Sequence, residues 1–256
     1  MTTTFRFSVR TIYTETMALV RALFLTDPYI VVSTIFFAVI SFLVSFFDSV
    51  GNAQIGVARV WARGILFVAG VRVKAEGLEK IKADGSYVIA ANHASYMDTP
   101  VILSTIPVQF RFLAKSGLFK IPFMGSHLKR AGHIPVPRED PRAAVRTMIQ
   151  AAANIREKGV SMLIFPEGGR TQDGELQPFK EGVAYIAIKA GVPVLPVAIT
   201  GTRAVVPVHS GIVKAGRVRI MVGEPIETAG LTLKDRERVT EEARQQIAAM
   251  LAAYTK

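Results

Sequence analysis

The sequence predicts an α/β fold, a largely parallel sheet flanked by helices, preceded by an N-terminal membrane-associated helical segment. Three observations carry this reading. From Val71 onward, short β-rich runs alternate with helical stretches, the pattern of parallel strands joined by crossover helices. Two of the runs, "SMLIF" and "VLPVAI", are almost continuously apolar, as befits strands covered on both faces. Residues Pro28 to Phe47 are twenty without one charge, about the length that crosses a hydrocarbon core of roughly 30 Å.

That apolar run is bracketed by Asp27 and Asp48. It is long and begins late for a cleaved signal peptide, and no A-x-A-like site follows it closely. A second apolar stretch, Val57 to Val71, carries Arg59, Arg63 and the lone Trp61, which suits a segment lying in the interface with its arginines at the headgroups. Arg6, Arg10 and Arg21 precede the first run, while Arg59, Arg63, Arg72 and Lys74 follow it. Basic residues on both sides leave the positive-inside asymmetry weak. A helix pair dipping into one leaflet fits them better than a full crossing, and a buried core helix is the plain alternative. The expected division is residues 1–70 as membrane-associated helices and 71–256 as the α/β domain.

The expected strands are "VRVKAE", "SYVIAA", "RFLAK", "GVSMLIF", "VPVLPVAIT" and "RVRIMVG", with helices at Pro141–Lys158, Lys180–Ala190 and Leu231–Tyr254. Ligands of such sheets gather at the carboxyl ends of strands. The two stretches richest in chemistry, after "SYVIAA" and after "SMLIF", sit there.

Composition narrows the chemistry. The chain has no cysteine, which excludes disulfides, thiolate metal sites and Cys nucleophiles. Its net charge of +11 points to a polyanionic partner: nucleic acid, anionic lipid or a phosphorylated substrate. No G-x-S-x-G elbow, Walker loop, H-E-x-x-H or strand-borne G-x-G-x-x-G occurs, and His127, His133 and His209 have no close metal-ligand spacing. No metal or cofactor is expected.

In "ANHASYMDTP", His93 and Asp98 are five residues apart, about 140° around a helix, so a regular helix would separate them. Pro100 disfavours helix before it and places the helix start near Asp98, with His93 in the preceding loop. A loop can fold the carboxylate back onto the imidazole, fixing the tautomer and leaving the other ring nitrogen as a base. The bland alternative is a helix cap at Asp98 or Ser95 and a surface histidine. In "FPEGGRTQDGELQPFKEG", Glu167 and Arg170 flank Gly168 and Gly169. The glycines let backbone approach a ligand, and Arg170 offers a planar fork for phosphate, against the alternative of an ordinary solvated turn. Between Gln109 and Arg138 lie Arg111, Lys115, Lys120, Lys129, Arg130 and Arg138 without an acidic residue, either a basic groove beside a membrane or a solvated basic face.

Together these residues resemble the 1-acylglycerol-3-phosphate acyltransferase family. Asn92-His93 with Asp98 resembles its N-H-x-x-x-x-D motif. "FPEGGRT" resembles F-P-E-G-[ST]-R-[ST], with Gly169 where Thr or Ser is usual. "GHIPVPR" resembles a block of the form G-x-x-F-I-x-R, with Pro135 at an aromatic position, and "GVPVLPVAI" resembles V-P-[IV]-[IV]-P-V. Four blocks in order cover roughly residues 70–225, and the order is more specific than any one block.

The resemblance implies one-step acyl transfer from acyl-CoA or acyl-carrier protein to a lysophospholipid hydroxyl, giving phosphatidic acid. His93 would be the base and Asp98 its support. Arg170 and Arg138 would hold the acceptor phosphate, Glu167 and Gly168 would line the acceptor site, and Lys115 would assist phosphate or donor. Backbone donors at the turn or helix start would meet the oxyanion. The enzyme would sit on the inner or cytoplasmic membrane with its catalytic domain facing the cytosol. Acylation of another lyso-lipid, such as a lyso-ornithine lipid or a lysophospholipid during remodelling, is a second reading within the fold. A non-catalytic basic protein on anionic membrane or nucleic acid explains the charge but not His93, Asp98 and Glu167 at strand ends, so no nucleic-acid partner is expected.

Overall fold

The computed structural model describes residues 16–254, except 18, 138, 139 and 209. Seven strands form one sheet: β1 (Val71–Glu76), β2 (Val88–Ala91), β3 (Phe110–Lys115), β4 (Ile134–Val136), β5 (Ser161–Ile164), β6 (Val194–Thr200) and β7 (Gly216–Val222). Their order is β1-β7-β6-β2-β5-β3-β4. Every pairing is parallel except β6 with β7, so the expected largely parallel α/β sheet is borne out.

The central strands β2, β5 and β6 are buried on both faces, and their alternation assigns side chains to two layers. Ile89 and Ala91 join one core cluster while Val88 and Ala90 join the other. The first face is covered by α2 (Asn52–Ala69) and α3 (Asp98–Thr105), and the second by α5 (Pro141–Lys158), α6 (Gly182–Ala190) and α8 (Arg236–Ala252). Two short helices, α4 (Met124–Arg130) and α7 (Thr202–Val205), lie in the connections, and α1 (Asp27–Val44) precedes α2.

Helix α2 corrects one expectation. Ala58, Ala62, Ile65, Leu66 and Ala69 are buried in the first core cluster, so the segment covers the sheet rather than lying at headgroups. Arg59 turns inward and donates to the carbonyls of Ile106, Pro107 and Val108 at 2.9, 3.1 and 2.6 Å, satisfying a loop that would otherwise bury bare acceptors. Arg63 is exposed.

The helical stretch Leu19–Val44 is long and apolar enough to cross a membrane, and 11% of its most apolar window is buried. What it buries is the small and polar side. Ala22, Thr26, Ser33 and Ser41 face the protein, at helical spacings that form a single stripe. Val32 is 67% and Phe36 58% exposed. A core helix would do the opposite; this one turns its large apolar side chains outward, as a helix associated with a membrane does. The stretch lies along α2: Arg21 donates to the Val68 carbonyl, Trp61 to the Thr34 hydroxyl, and a side chain at Gly64 would strike the Tyr29 hydroxyl.

The sheet order also explains where a site must form. From β2 the chain crosses over β5 to reach β3, whereas from β5 it crosses back over β2 to reach β6. Adjacent strands whose connections leave in opposite directions open a crevice at their carboxyl ends. The segments that follow β2 and β5 are those carrying His93 and Glu167.

Candidate active site

His93 leaves the end of β2 with its ring stacked on Phe165, the residue after β5, at 3.9 Å between centroids and 15° between planes. Its Nδ1 lies 2.8 Å from Asp98 Oδ2. Asp98 is fully buried at the first turn of α3, and the same oxygen accepts from the Ala94 and Ser95 amides at 2.8 and 2.9 Å. Its role is therefore not that of a helix cap, because the amides it binds precede the helix. A carboxylate only accepts, so Nδ1 carries a proton, and in the neutral ring Nε2 keeps its lone pair.

Three further contacts fix this turn. Asn92 bridges to β6, accepting from the Ile199 amide at 2.7 Å and donating to the Ile199 carbonyl at 3.0 Å. Ser95 Oγ donates to the Val206 carbonyl at 2.9 Å and accepts from the Met97 amide at 3.2 Å. The Thr171 amide donates to the His93 carbonyl at 3.0 Å. The histidine is thus held by β5, β6 and the loop after each.

Glu167 joins the two loops. One of its oxygens accepts from the His93 amide at 2.6 Å and the other from the Gln177 amide at 2.9 Å. Burial raises its pKa above the usual carboxylate range, against the lowering effect of the two amides. These hydrogen bonds run to backbone, so in this structure Glu167 positions the histidine turn. Gly168 has φ of 77°, a conformation that suits glycine, and a side chain there would meet Lys180 Nζ.

Arg170 lies with its guanidinium carbon 3.4 Å from the centroid of the Tyr96 ring. Both residues line a cavity of about 300 Å³ with Gly169, Gln172 and Val208. Tyr96 sits three residues after His93, and Arg170 immediately precedes the Thr171 that bonds to it. The cationic fork therefore belongs to the same loop whose Thr171 amide holds the His93 carbonyl.

The structure does not bring all the expected residues together. Lys115 ends β3 in an exposed position, two strand positions from β2, about 10 Å along the sheet edge at ~4.8 Å per step. Arg138 lies outside the described residues. Arg111, counted in the basic run, is buried: it donates to the Val50 and Phe110 carbonyls and to Asn52 Oδ1 at 2.7, 3.0 and 2.8 Å. It ties the chain between α1 and α2 to the sheet and is no part of a groove. The Ala94 and Ser95 amides, candidates for the oxyanion, are taken by Asp98. Tyr96 and Phe165 were not singled out by the sequence, though an aromatic inside a polar turn and an aromatic at a strand end were the available signals.

A family model described as Acyltransferase matches residues 72–200. The chain belongs to the acyltransferase family. A protein of Borreliella burgdorferi named 1-acyl-sn-glycerol-3-phosphate acyltransferase is 33% identical over 183 residues, 71% of this chain and 72% of that one. The chloroplastic 1-acyl-sn-glycerol-3-phosphate acyltransferase BAT2 of Brassica napus is 36% identical over 194 residues, 75% of this chain and 54% of its own. The chain thus spans about half the length of such plant relatives. The crystal structure of the 1-acyl-sn-glycerophosphate acyltransferase of Thermotoga maritima superposes with a TM-score of 0.75 at 28% identity, covering 97% of this chain and 100% of that chain. The acyltransferase-family match takes in β2, His93, Asp98, β5, Glu167 and Arg170, and so the whole crevice at the switch point.

Proposed function

We propose that this protein transfers a fatty acyl group from a thioester, acyl-CoA or acyl-carrier protein, to the 2-hydroxyl of 1-acylglycerol-3-phosphate, giving phosphatidic acid. The observation that carries the reading is the His93–Asp98 pair, which commits Nδ1 to the carboxylate and leaves Nε2 for the acceptor hydroxyl. His93 Nε2 takes the proton of the acceptor hydroxyl as its oxygen attacks the thioester carbonyl. Asp98 holds the ring and stabilises the imidazolium, which returns the proton to the departing thiol. The transfer is direct, with both substrates present together.

Arg170, oriented by Tyr96, holds the acceptor phosphate bidentately. Gly168 keeps the loop backbone close, Glu167 holds the histidine turn in place, Arg138 is assigned with Arg170 to the acceptor phosphate, and Lys115 assists phosphate or donor. The polar-inward, apolar-outward helix Leu19–Val44 lies along α2 for most of its length, which favours burial in one leaflet over a crossing. The catalytic domain then stands on the side where acyl thioesters are found, the cytosolic face of the inner or cytoplasmic membrane.

The test is thioester consumption by purified protein with and without lysophosphatidate and with lyso-ornithine lipid. Acceptor-dependent thiol release with lysophosphatidate is expected. Turnover with lyso-ornithine lipid alone would reassign the acceptor.

A further inference from the structure

The segment between β3 and α4 carries a feature that the proposed chemistry does not use. Residues 116–120 form a single 3-10 turn after Lys115, and Ile121, Pro122 and Phe123 lead into α4. Leu118, Ile121 and Phe123 are 37%, 43% and 55% exposed, three large apolar side chains within six residues.

Phe123 has φ of 62° and ψ of −56°, the one non-glycine residue with positive φ among those described. The Met124 amide donates back to the Pro122 carbonyl at 2.7 Å. This is a γ-turn of the rare, strained kind. An aromatic held in a strained conformation, yet exposed, is not explained by core packing.

The surroundings supply both rigidity and charge. A side chain at Gly125 would strike the Phe119 carbonyl, so the loop is pressed onto α4. Helix α4 is in turn fixed to the end of α1: Ser41 Oγ lies 2.6 Å from His127 Nδ1, and Arg130 stands over the rings of Phe42 and Phe46 at 4.5 and 5.2 Å. Lys115, Lys120 and Lys129 are exposed around the loop, and no acidic residue occurs from Gln109 to Arg138.

We propose that residues 116–123 are a second membrane contact: Leu118, Ile121 and Phe123 enter the boundary between headgroups and acyl chains of an anionic bilayer, and the flanking lysines meet lipid phosphates. An apolar tip ringed by cations is the chemistry of an interfacial element. Through α4 the loop is tied to the end of α1, whose apolar face is exposed. The loop leaves the carboxyl end of β3, the same sheet edge from which His93 leaves β2. Seating it on lipid brings that edge to the bilayer, where a lyso-lipid enters from the membrane plane. The proposal rests on the membrane placement of α1, and its test separates the two.

Because the chain lacks cysteine, single labels are clean. The full chain is prepared as Val39→Cys, Ile121→Cys and Lys158→Cys, each carrying an environment-sensitive fluorophore. Each is reconstituted on phosphatidylglycerol–phosphatidylcholine vesicles containing doxyl-labelled lipid. Val39 reports α1, and Lys158 ends α5 at the amino-terminal edge of the sheet. The expected result is strong lipid quenching at 39 and 121, with little at 158, and loss of iodide quenching at 121 on adding vesicles. Quenching at 39 but not at 121 overturns the loop contact and leaves α1 in the membrane. Absence of quenching at both overturns the two together. None of these readouts depends on turnover, so they stand apart from the catalytic reading.

Discussion

The guanidinium carbon of Arg170 stands over the ring of Tyr96, 3.4 Å from its centroid. The two residues are 74 positions apart in sequence, and the stack joins the loop after β2 to the loop after β5. A planar cation held this way presents its outer edge to a ligand. Replacing Tyr96 with Leu should raise the KM for lysophosphatidate about 2- to 30-fold, the equivalent of a cation–π contact of about 0.5–2 kcal/mol, with kcat little changed. Tyr96→Phe keeps the ring face and should restore the wild-type KM. Steady-state kinetics on the three proteins make the comparison.

Arg170→Lys keeps the charge but loses the fork. Its expected effect is a higher KM for lysophosphatidate with the donor KM nearly unchanged. A change confined to the donor would move Arg170 to the thioester side of the reaction.

Glu167→Gln tests a positioning role. One side-chain oxygen remains, and the amide nitrogen must then face a backbone N–H, at His93 or at Gln177. Leaving such a donor unsatisfied costs about 1–3 kcal/mol. Thermal unfolding in detergent should shift downward and kcat should fall with it, because one amide at risk belongs to His93, the proposed base. Glu167→Gln with a wild-type melting temperature and a raised acceptor KM would point instead to direct contact with the acceptor.

Two histidines, His133 buried and His127 half-buried, set a pH dependence of stability. Burial lowers the pKa of His127 to about 4, and burial, with His127 and Arg111 adding to it, holds His133 well below its usual value. His133 Nδ1 accepts from the Phe112 amide at 2.9 Å, a bond that protonation of that nitrogen would break. Folded-state values below the unfolded one mean that the unfolded chain binds more protons as pH falls. Their contribution is therefore present above about pH 6.5 and is lost as pH drops toward 4. Melting temperature against pH should fall across that window, and His127→Gln should flatten the slope.

Much of this fold could be read along the chain because its strands are short, apolar and separated by amphipathic helices. Helix α5 occupies the expected residues 141–158, and β1 the expected 71–76. Strand β4 was not read as a strand: it has three residues with Pro135 in the middle, which the sheet tolerates because β4 is an edge. Arg59 and Arg111 looked like surface charge, and what buries them are carbonyls supplied by distant loops, which no local pattern announces. At the site, His93 and Asp98 were legible because one short loop holds both. The contacts of Glu167 with the His93 amide and of Arg170 with Tyr96 exist only once β2 and β5 lie side by side.

We propose His93, held by Asp98, as the base for acyl transfer. The direct measurement of that role is acceptor-dependent thiol release from an acyl thioester by wild type, His93→Ala and Asp98→Asn, alongside melting curves for each. His93→Ala should abolish release while remaining folded and membrane-bound. Asp98→Asn, which loses the charge and the acceptor for Nδ1–H, should retain a residue of activity, reduced ~10²- to 10⁴-fold. Near-normal thiol release by a folded His93→Ala protein would contradict the account.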